Sequence, residues 1–322
     1  MKAIQISRTG GPEVLELVER DIPAPGPGQV RIRHQAIGVN FIDTYHRSGL
    51  YPIKLPSGLG QEAAGLVDAL GEGVDQFKVG DRVAYTGQMG AYAEFHVVPA
   101  ARVVHLPAGI STELAAASLL KGMTAEFLLR RCYPLKAGEA TLIHAAAGGV
   151  GSILVQWAKA IGAIVIGTVG SEDKAELAKS LGCDHVILYR EEDVAERVKA
   201  VTGGAGVSVA YDGVGAATFE ASLSSLRRRG MLAVFGNASG PAPAVEPARL
   251  QRGGSLFLTR PTLFDYIATP GELAESAAAL FHVIGNGSVK VSVGQRFALA
   301  DARAAHEVLE GRETTGSTVL IP

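Results

Sequence analysis

Cysteine is almost missing from this chain. Cys132 and Cys183 are the only two among 322 residues, too few for a disulfide framework or a four-cysteine zinc lobe. No apolar run approaches the ~18 residues that cross a bilayer. The opening Met1-Lys2-Ala3-Ile4 reads directly as a strand without the marks of a signal peptide, so a cytoplasmic protein without membrane contact is expected. Charge of either sign is not in excess: 30 Lys and Arg stand against 32 Asp and Glu, with no long basic run to track a nucleic-acid backbone. Charged residues make up 19% and aromatics 6%, whereas hydrophobic residues reach 47% and glycines number 40. That balance describes a globular protein with many tight turns and close backbone approaches. The length predicts about two domains, and no internal repeat or low-complexity tract is evident beyond the proline-rich loop 23–28.

The stretch 141–190 organises the rest. Thr141–Ala145 is an apolar run of strand length that breaks into AAAGGVG, then into the helical pattern Ile153, Val155, Trp157, Ala158, Ile161. A second apolar run, Ala163–Val169, follows Gly162, so strand, glycine turn, helix and strand succeed one another within about 30 residues, as a βαβ unit requires. Ala146, Gly148 and Gly151 occupy the three positions of the dinucleotide fingerprint, with alanine first. Gly148 lets a backbone approach a pyrophosphate and Gly151 lets helix pack on strand, while Gly149 and Val150 open a helix whose N–H groups face the anion. A glycine turn that binds nothing is the competing reading. At the end of the second strand an NAD site usually carries an acid. Here the chain reads Val169-Gly170-Ser171-Glu172-Asp173-Lys174. Ser171 can donate to a phosphate and Lys174 can reach it as a point charge, which favours the 2′-phosphate of NADPH, although Lys174 also reads as a solvated lysine.

Residues 1–120 carry short strand patterns at Val14–Val18, Val30–Ala36, Gly65–Leu70, Arg82–Tyr85, Ala91–Val98 and Ala101–His105. Their spacing predicts a partly barrel-like antiparallel domain. Ser111–Arg131 changes to helical period, as one helix or two interrupted near Gly122. Strands and helices then alternate to about residue 236, the pattern of a doubly wound parallel sheet with its ligand crevice at the strand C-termini. The strand Gly230–Gly236 ends in Phe235-Gly-Asn237-Ala-Ser-Gly240, expected to face the nicotinamide half of a cofactor. Beyond Leu263, a helix at Glu272–Ile284, strands near Val289–Val293 and Arg296–Ala298, a helix at Asp301–Leu309 and a strand at Ser317–Ile321 are expected to return to the first domain.

With GVNFIDTYHRSGLYP (38–52), LPSGLGQEAAGLV (55–67), VGDRVAY (79–85), LLKGMTAEFLL (119–129), AAAGGVG, FGNASG (235–240) and RETTGSTVLIP (312–322), the chain resembles the medium-chain dehydrogenase/reductase superfamily from end to end. Within it the chain is similar to the zinc-free NADPH:quinone oxidoreductases related to zeta-crystallin. The resemblance implies an α/β fold, a doubly wound Rossmann sheet at 124–263 plus a discontinuous, mainly β, GroES-like catalytic domain at 1–123 and 264–322. Zinc-dependent relatives place a cysteine at Asn40 and a histidine at Gln61, so no catalytic zinc site is expected here. Asn40 and Tyr45 are the implied donors toward the developing negative charge on the acceptor and also touch the cofactor. Tyr45 reads equally as a tyrosine packed in the cleft. Thr124 is implied near the nicotinamide ribose, Tyr189 near the adenosine phosphate end, and Phe235, Asn237 and Arg312 along the cofactor; Arg312 also reads as a solvated arginine. Asp43 and His46 are read as loop and turn residues. The implied activity is metal-free hydride or electron transfer from NADPH to a quinone in the cleft between the domains, by one-electron or two-electron reduction. The alternatives are an alkenal or enone reductase and, in a different class, a nucleotide- or RNA-binding protein. An apolar edge near residues 253–259 points to a homodimer.

Overall fold

In a computed structural model that describes residues 1–311 and 314–322, the chain divides into two units. The first comprises Met1–Met123, Ile267–Gly285 and Val291–Pro322, and the second Thr124–Tyr266 and Asn286–Lys290.

The first unit is built mainly of antiparallel strands. Strand β1 (Lys2–Ile6) pairs with β2 (Glu16–Glu19) and with the short β4 (Ser57–Gly58). A larger sheet is centred on the long β3 (Gln29–Val39) and β5 (Glu62–Leu70), which β6 (Arg82–Thr86) and β8 (Val103–His105) continue on one side, with β7 (Phe95–Pro99) pairing with β3. On the other side β16 (Ser317–Ile321) lies antiparallel to β3, and β15 (Val293–Ala298) lies parallel to β16. The expected C-terminal pair of strands is thus one strand, bulged between Val293 and Gln295. Gly294 permits this, because a Cβ there would lie 2.1 Å from the Thr315 carbonyl oxygen. Helices α1 (Phe41–Ser48), α2 (Thr112–Phe127), α9 (Pro270–Gly285) and α10 (Ala302–Glu310) complete the unit, α2 crossing into the second one. Alternate residues of β3 and β5 face a core with Ile4, Ile32, Ile37, Leu59, Tyr92 and Leu320. Helix α2 is not interrupted at Gly122, where a Cβ would meet Leu280 Cδ1 at 2.2 Å; the glycine serves helix packing and breaks nothing.

The second unit holds a six-stranded, all-parallel sheet in the order β11-β10-β9-β12-β13-β14. Its strands are β9 (Ala140–Ile143), β10 (Ile164–Val169), β11 (His185–Leu188), β12 (Val207–Asp212), β13 (Leu226–Val234) and β14 (Phe257–Thr259). The helices are α3 (Gly149–Ile161), α4 (Glu172–Ser180), α5 (Val194–Val201), α6 (Phe219–Ser224), α7 (Pro247–Arg252) and α8 (Leu263–Tyr266). This strand order is the doubly wound arrangement, reversing direction beside β9, where such folds bind dinucleotides. Residues 264–266 and 286–290, expected in the discontinuous domain, fall in this unit for identifiable reasons. Tyr266 stacks on Phe127 with ring centroids 4.4 Å apart, and the Gln156 side chain bridges both backbone groups of Lys290 at 3.0 and 2.8 Å. Among the described residues no helix is long and apolar enough to cross a membrane.

Candidate active site

In the second unit the expected cofactor residues gather at the C-terminal ends of neighbouring strands. The loop after β9 leads to Gly148, the N-cap of α3, and no side chain caps that helix, so its first-turn N–H groups are left for an anion. A Cβ on Gly151 would stand 2.1 Å from the Ala145 carbonyl oxygen and one on Gly148 would stand 3.1 Å from it. Gly151 is therefore demanded by how closely helix and loop approach, Gly148 sits at a tighter than ordinary contact, and Gly149 and Val150 lie between them. Helix α3 forms because Ile153, Leu154, Val155, Trp157 and Ala158 make one buried face, and Gly162, at φ 92°, ends it.

At the end of β10, Ser171 is the N-cap of α4, yet its hydroxyl makes no capping bond. Glu172 and Asp173 occupy the first turn, where acids suit the helix dipole. Lys174 is half-buried one position further on. Tyr189, just past β11 and 37% exposed, lies against the same strand end: a Cβ on Gly170 would come within 2.6 Å of its hydroxyl oxygen. Phe235 and Asn237 follow β13, where the loop packs backbone to backbone on the one after β12; a Cβ on Gly236 would be 2.3 Å from the Gly213 carbonyl oxygen. Thr124 is buried on α2, apart from these strand ends in sequence, and Arg312 lies outside the described residues.

A polar network under the strand ends holds these loops. The Thr168 hydroxyl donates to His144 Nδ1 at 2.9 Å, His144 Nε2–H donates to Ser222 Oγ at 2.9 Å, and the Ser222 hydroxyl donates to Asp212 Oδ2 at 2.7 Å. Asp212 Oδ1 in turn accepts the N–H groups of Val214 and Gly215 at 2.8 and 3.0 Å, which fixes the loop after β12. Burial pushes the His144 pKa down, so the ring is neutral with its proton on Nε2.

In the first unit Asn40 is the N-cap of α1, with Asp43 at the third helical position and Gly49 ending the helix at φ 86°. Asp43 and His46 are thus helical rather than loop residues, which corrects the expectation for both. Asn40 is buried, and its Nδ2 donates to Glu62 Oε1 at 2.8 Å. Glu62 is fully buried and takes the Leu120 N–H on its other oxygen at 2.6 Å, while Lys121 Nζ stands 3.5 Å from Oε1 and donates to the Val39 carbonyl at 3.2 Å. Gly38 leaves the space this carboxylate fills, since a Cβ there would be 2.2 Å from Oε1. Gln61 Nε2 donates to His46 Nε2 at 2.8 Å, and burial holds His46 below its ordinary pKa. Asn40 and Gln61, at the positions where zinc-dependent relatives carry ligands, are therefore engaged by side chains of their own neighbourhood. Among the described residues no group of three or more His, Cys, Asp or Glu could hold a metal ion. Tyr45 is buried, its ring 5.2 Å from that of Tyr51 and 6.5 Å from that of Phe41.

Glu62, Lys121, Asp43, Tyr92 and His306 form the part of this site that the sequence reading did not assign. A signal existed for two of them: Lys121 interrupts the apolar LLKGM, and Glu62 opens the apolar strand EAAGLV. Charges inside apolar elements require partners.

Comparison with known proteins identifies the family. A model of the alcohol dehydrogenase GroES-like domain matches residues 26–108, and a model of zinc-binding dehydrogenases matches residues 149–280. A quinone oxidoreductase of Pseudomonas aeruginosa is 54% identical over 100% of this chain and 99% of its own. A 2-haloacrylate reductase of a Burkholderia species is 45% identical over 99% of this chain and 98% of its own. The crystal structure of Escherichia coli quinone oxidoreductase complexed with NADPH superposes with a TM-score of 0.98 at 51% identity, over 100% of both chains. A doubly wound sheet with glycines at the helix–loop contact, a mainly antiparallel unit bearing Asn40, and full-length likeness of this degree place the chain in the quinone oxidoreductase family of the medium-chain dehydrogenase/reductases.

Proposed function

We propose that this protein is an NADPH-dependent quinone reductase that works without a metal ion, in the cytoplasm. The observation that carries the reading is the pairing of an uncapped helix N-terminus at Gly148 with a β10 end that bears Ser171 and Lys174 where an NAD site would bear an acid. The residues fit the cofactor: the glycine contacts leave the loop backbone open to a pyrophosphate, and any Cβ at Gly151 would displace the helix. NADPH, when bound, supplies a hydride to the acceptor.

The chain's own residues would bind, orient and polarise. Gly149, Val150 and Gly151 offer backbone N–H groups to the pyrophosphate, Gly148, whose own N–H donates to the Ala145 carbonyl at 2.8 Å, lets the backbone approach it, Ser171 and Lys174 take the 2′-phosphate, and Tyr189 flanks the adenosine end. Thr124, Phe235, Asn237 and Arg312 are assigned to the rest of the cofactor. Asn40 is the donor to the oxygen that gains charge during reduction. One of its Nδ2 protons is committed to Glu62, which fixes the amide's orientation and leaves the other proton to donate. Tyr45 is the second donor. The one proton that must accompany the hydride comes from solvent.

A second reading, hydride addition to an activated C=C bond, is supported by the likeness to the 2-haloacrylate reductase. Side-by-side turnover of a benzoquinone, a short enone and 2-chloroacrylate decides between them: the quinone is expected to be reduced fastest, and an enone or haloacrylate faster by orders of magnitude would overturn the first reading. We also propose a homodimer through β14. It is the last strand of the six-stranded order, and it exposes Phe257 at 56% and Leu258 at 36%. A monomeric mass by light scattering at micromolar concentration would remove that proposal.

A further inference from the structure

Asn40 is held from two directions. Glu62 takes its Nδ2–H, and its backbone N–H donates to Asp43 Oδ2 at 2.9 Å. Asp43 is fully buried, and it is the last acceptor in a line of donors that starts on a cation. Arg47, with a side chain only 2% exposed, donates from Nη1 to His306 Nδ1 at 2.9 Å. A guanidinium only donates, so Nδ1 is the acceptor and the imidazole proton sits on Nε2. Nε2–H then donates to the Tyr92 hydroxyl oxygen at 3.1 Å, and the Tyr92 O–H donates to Asp43 Oδ2 at 2.9 Å. Every bond points the same way, from a guanidinium that only donates to the Asp43 oxygen that accepts. The line is a strut that braces Asp43.

The strut crosses the unit. Arg47 also donates from Nε to the Gly10 carbonyl at 3.1 Å and pairs through Nη2 with Glu310 Oε1 at 2.8 Å, so it ties α1 to the loop at residue 10 and to α10. The charged or titratable groups around Asp43 are Tyr92, Glu62 and Lys121, with Arg47 and His306 behind Tyr92. Asp43 Oδ1 has no hydrogen-bond partner among the described residues. Burying an acid with one unpartnered oxygen sacrifices stability that an apolar side chain would have gained, so its presence under Asn40 calls for a use.

We propose that Asp43 is the positioning residue of Asn40, and that the strut Arg47–His306–Tyr92 makes the C-terminal helix α10 part of the apparatus that orients the acceptor-polarising amide. This rests on the reading that Asn40 contacts the acceptor. Fixing both the backbone and the side chain of one donor keeps it aimed at the acceptor oxygen throughout the reaction, which is where preorganised donors gain their effect.

The test uses Tyr92→Phe, which keeps the ring and removes the central hydroxyl of the strut, with His306→Gln as the second variant should the first not fold. Three readouts are taken: kcat with a quinone, the Kd for NADPH by fluorescence titration, and hydrogen exchange of the Asn40 backbone amide by NMR. In Tyr92→Phe the account expects kcat to fall about 10-fold while the Kd changes less than about twofold. It expects the Asn40 amide to exchange at least about tenfold faster while the β3 amides of Val30 and Ile32 exchange as in the unaltered protein. An Asn40 amide that exchanges at its original rate overturns the proposal, as does a uniform rise across β3, which would mark Tyr92 as general scaffolding. If instead Asn40→Ala turns over quinone at full rate while the exchange result holds, the strut stands and the catalytic reading of Asn40 fails.

Discussion

The two units make their sites from different materials. The crevice of the second is built largely of backbone: at Gly151 and Gly236 a Cβ would collide with a neighbouring main chain, and at Gly213 with the Phe235 ring. Around Asn40 the first unit uses side chains instead, a buried acid–base–amide cluster whose members come from α1 and its N-cap, β5, the segment before β7, α2 and α10. A backbone-built site tolerates no added atoms. A side-chain-built site can be retuned by single substitutions.

The contrast predicts where damage is largest. Glu62→Ala removes the acceptor for Asn40 and Leu120 and leaves Lys121, whose side chain is 7% exposed, as a buried charge without its anion. A loss of about 3–5 kcal/mol in unfolding free energy is expected. Chemical denaturation at fixed ionic strength measures it, and a loss below about 1 kcal/mol would mean that water or a shifted side chain replaces the carboxylate. Next in size, Asn40→Ala is expected to lower kcat by about 10²–10³ through loss of the donor. Steady-state kinetics with saturating NADPH read it directly.

The side-chain-built unit also holds three buried histidines that make stability depend on pH. Burial, with His96 beside it, holds His34 down to about 3; burial and Arg47 hold His306 down to about 3, and burial holds His96 down to about 4. In the unfolded chain these rings take up protons below about 6.5. The native state binds fewer, so stability falls as pH drops from about 6.5 toward about 4. Asp43 has the opposite sign: burial raises it to about 7, so between about 4 and 7 the native state holds a proton that the unfolded chain has released, and stability falls as pH rises. Three histidines outweigh one acid in that window. Unfolding free energy should therefore rise from pH 4 to 6.5, and His306→Gln should flatten the slope by about 1.4 kcal/mol per pH unit. An unchanged slope would show that His306 is not buried as a neutral ring.

Legibility in the sequence followed the same division. The glycine turn, the helix after it, the alternation of strands and helices and the β10 end all depend on residues close together in the chain, and the sheet order agrees with the doubly wound pattern they imply. The side-chain cluster depends on separations such as Tyr92 to His306, 214 residues apart, which no local period encodes. Asp43 shows the limit well: beside Asn40 it looks like a turn acid, and only the arrival of Tyr92 over it makes it part of a buried strut. Gly122 shows another, because its role is to admit Leu280 from a distant helix rather than to break its own.

The last predicted effect bears most directly on what the protein binds. Removing the Lys174 ammonium should weaken NADPH by about 1–3 kcal/mol, roughly 5- to 150-fold, because a charge-assisted contact to the 2′-phosphate is lost. Ser171→Ala should cost less, being one neutral donor among several. The decisive measurement is a fluorescence titration of the unaltered protein and Lys174→Ala with NADPH and with NADH, at one ionic strength because salt screens the contact. The account predicts much tighter binding of NADPH to the unaltered protein, and in the variant a loss of most of that preference with NADH affinity nearly unchanged. Equal weakening of both cofactors, or a protein that prefers NADH from the outset, would contradict it.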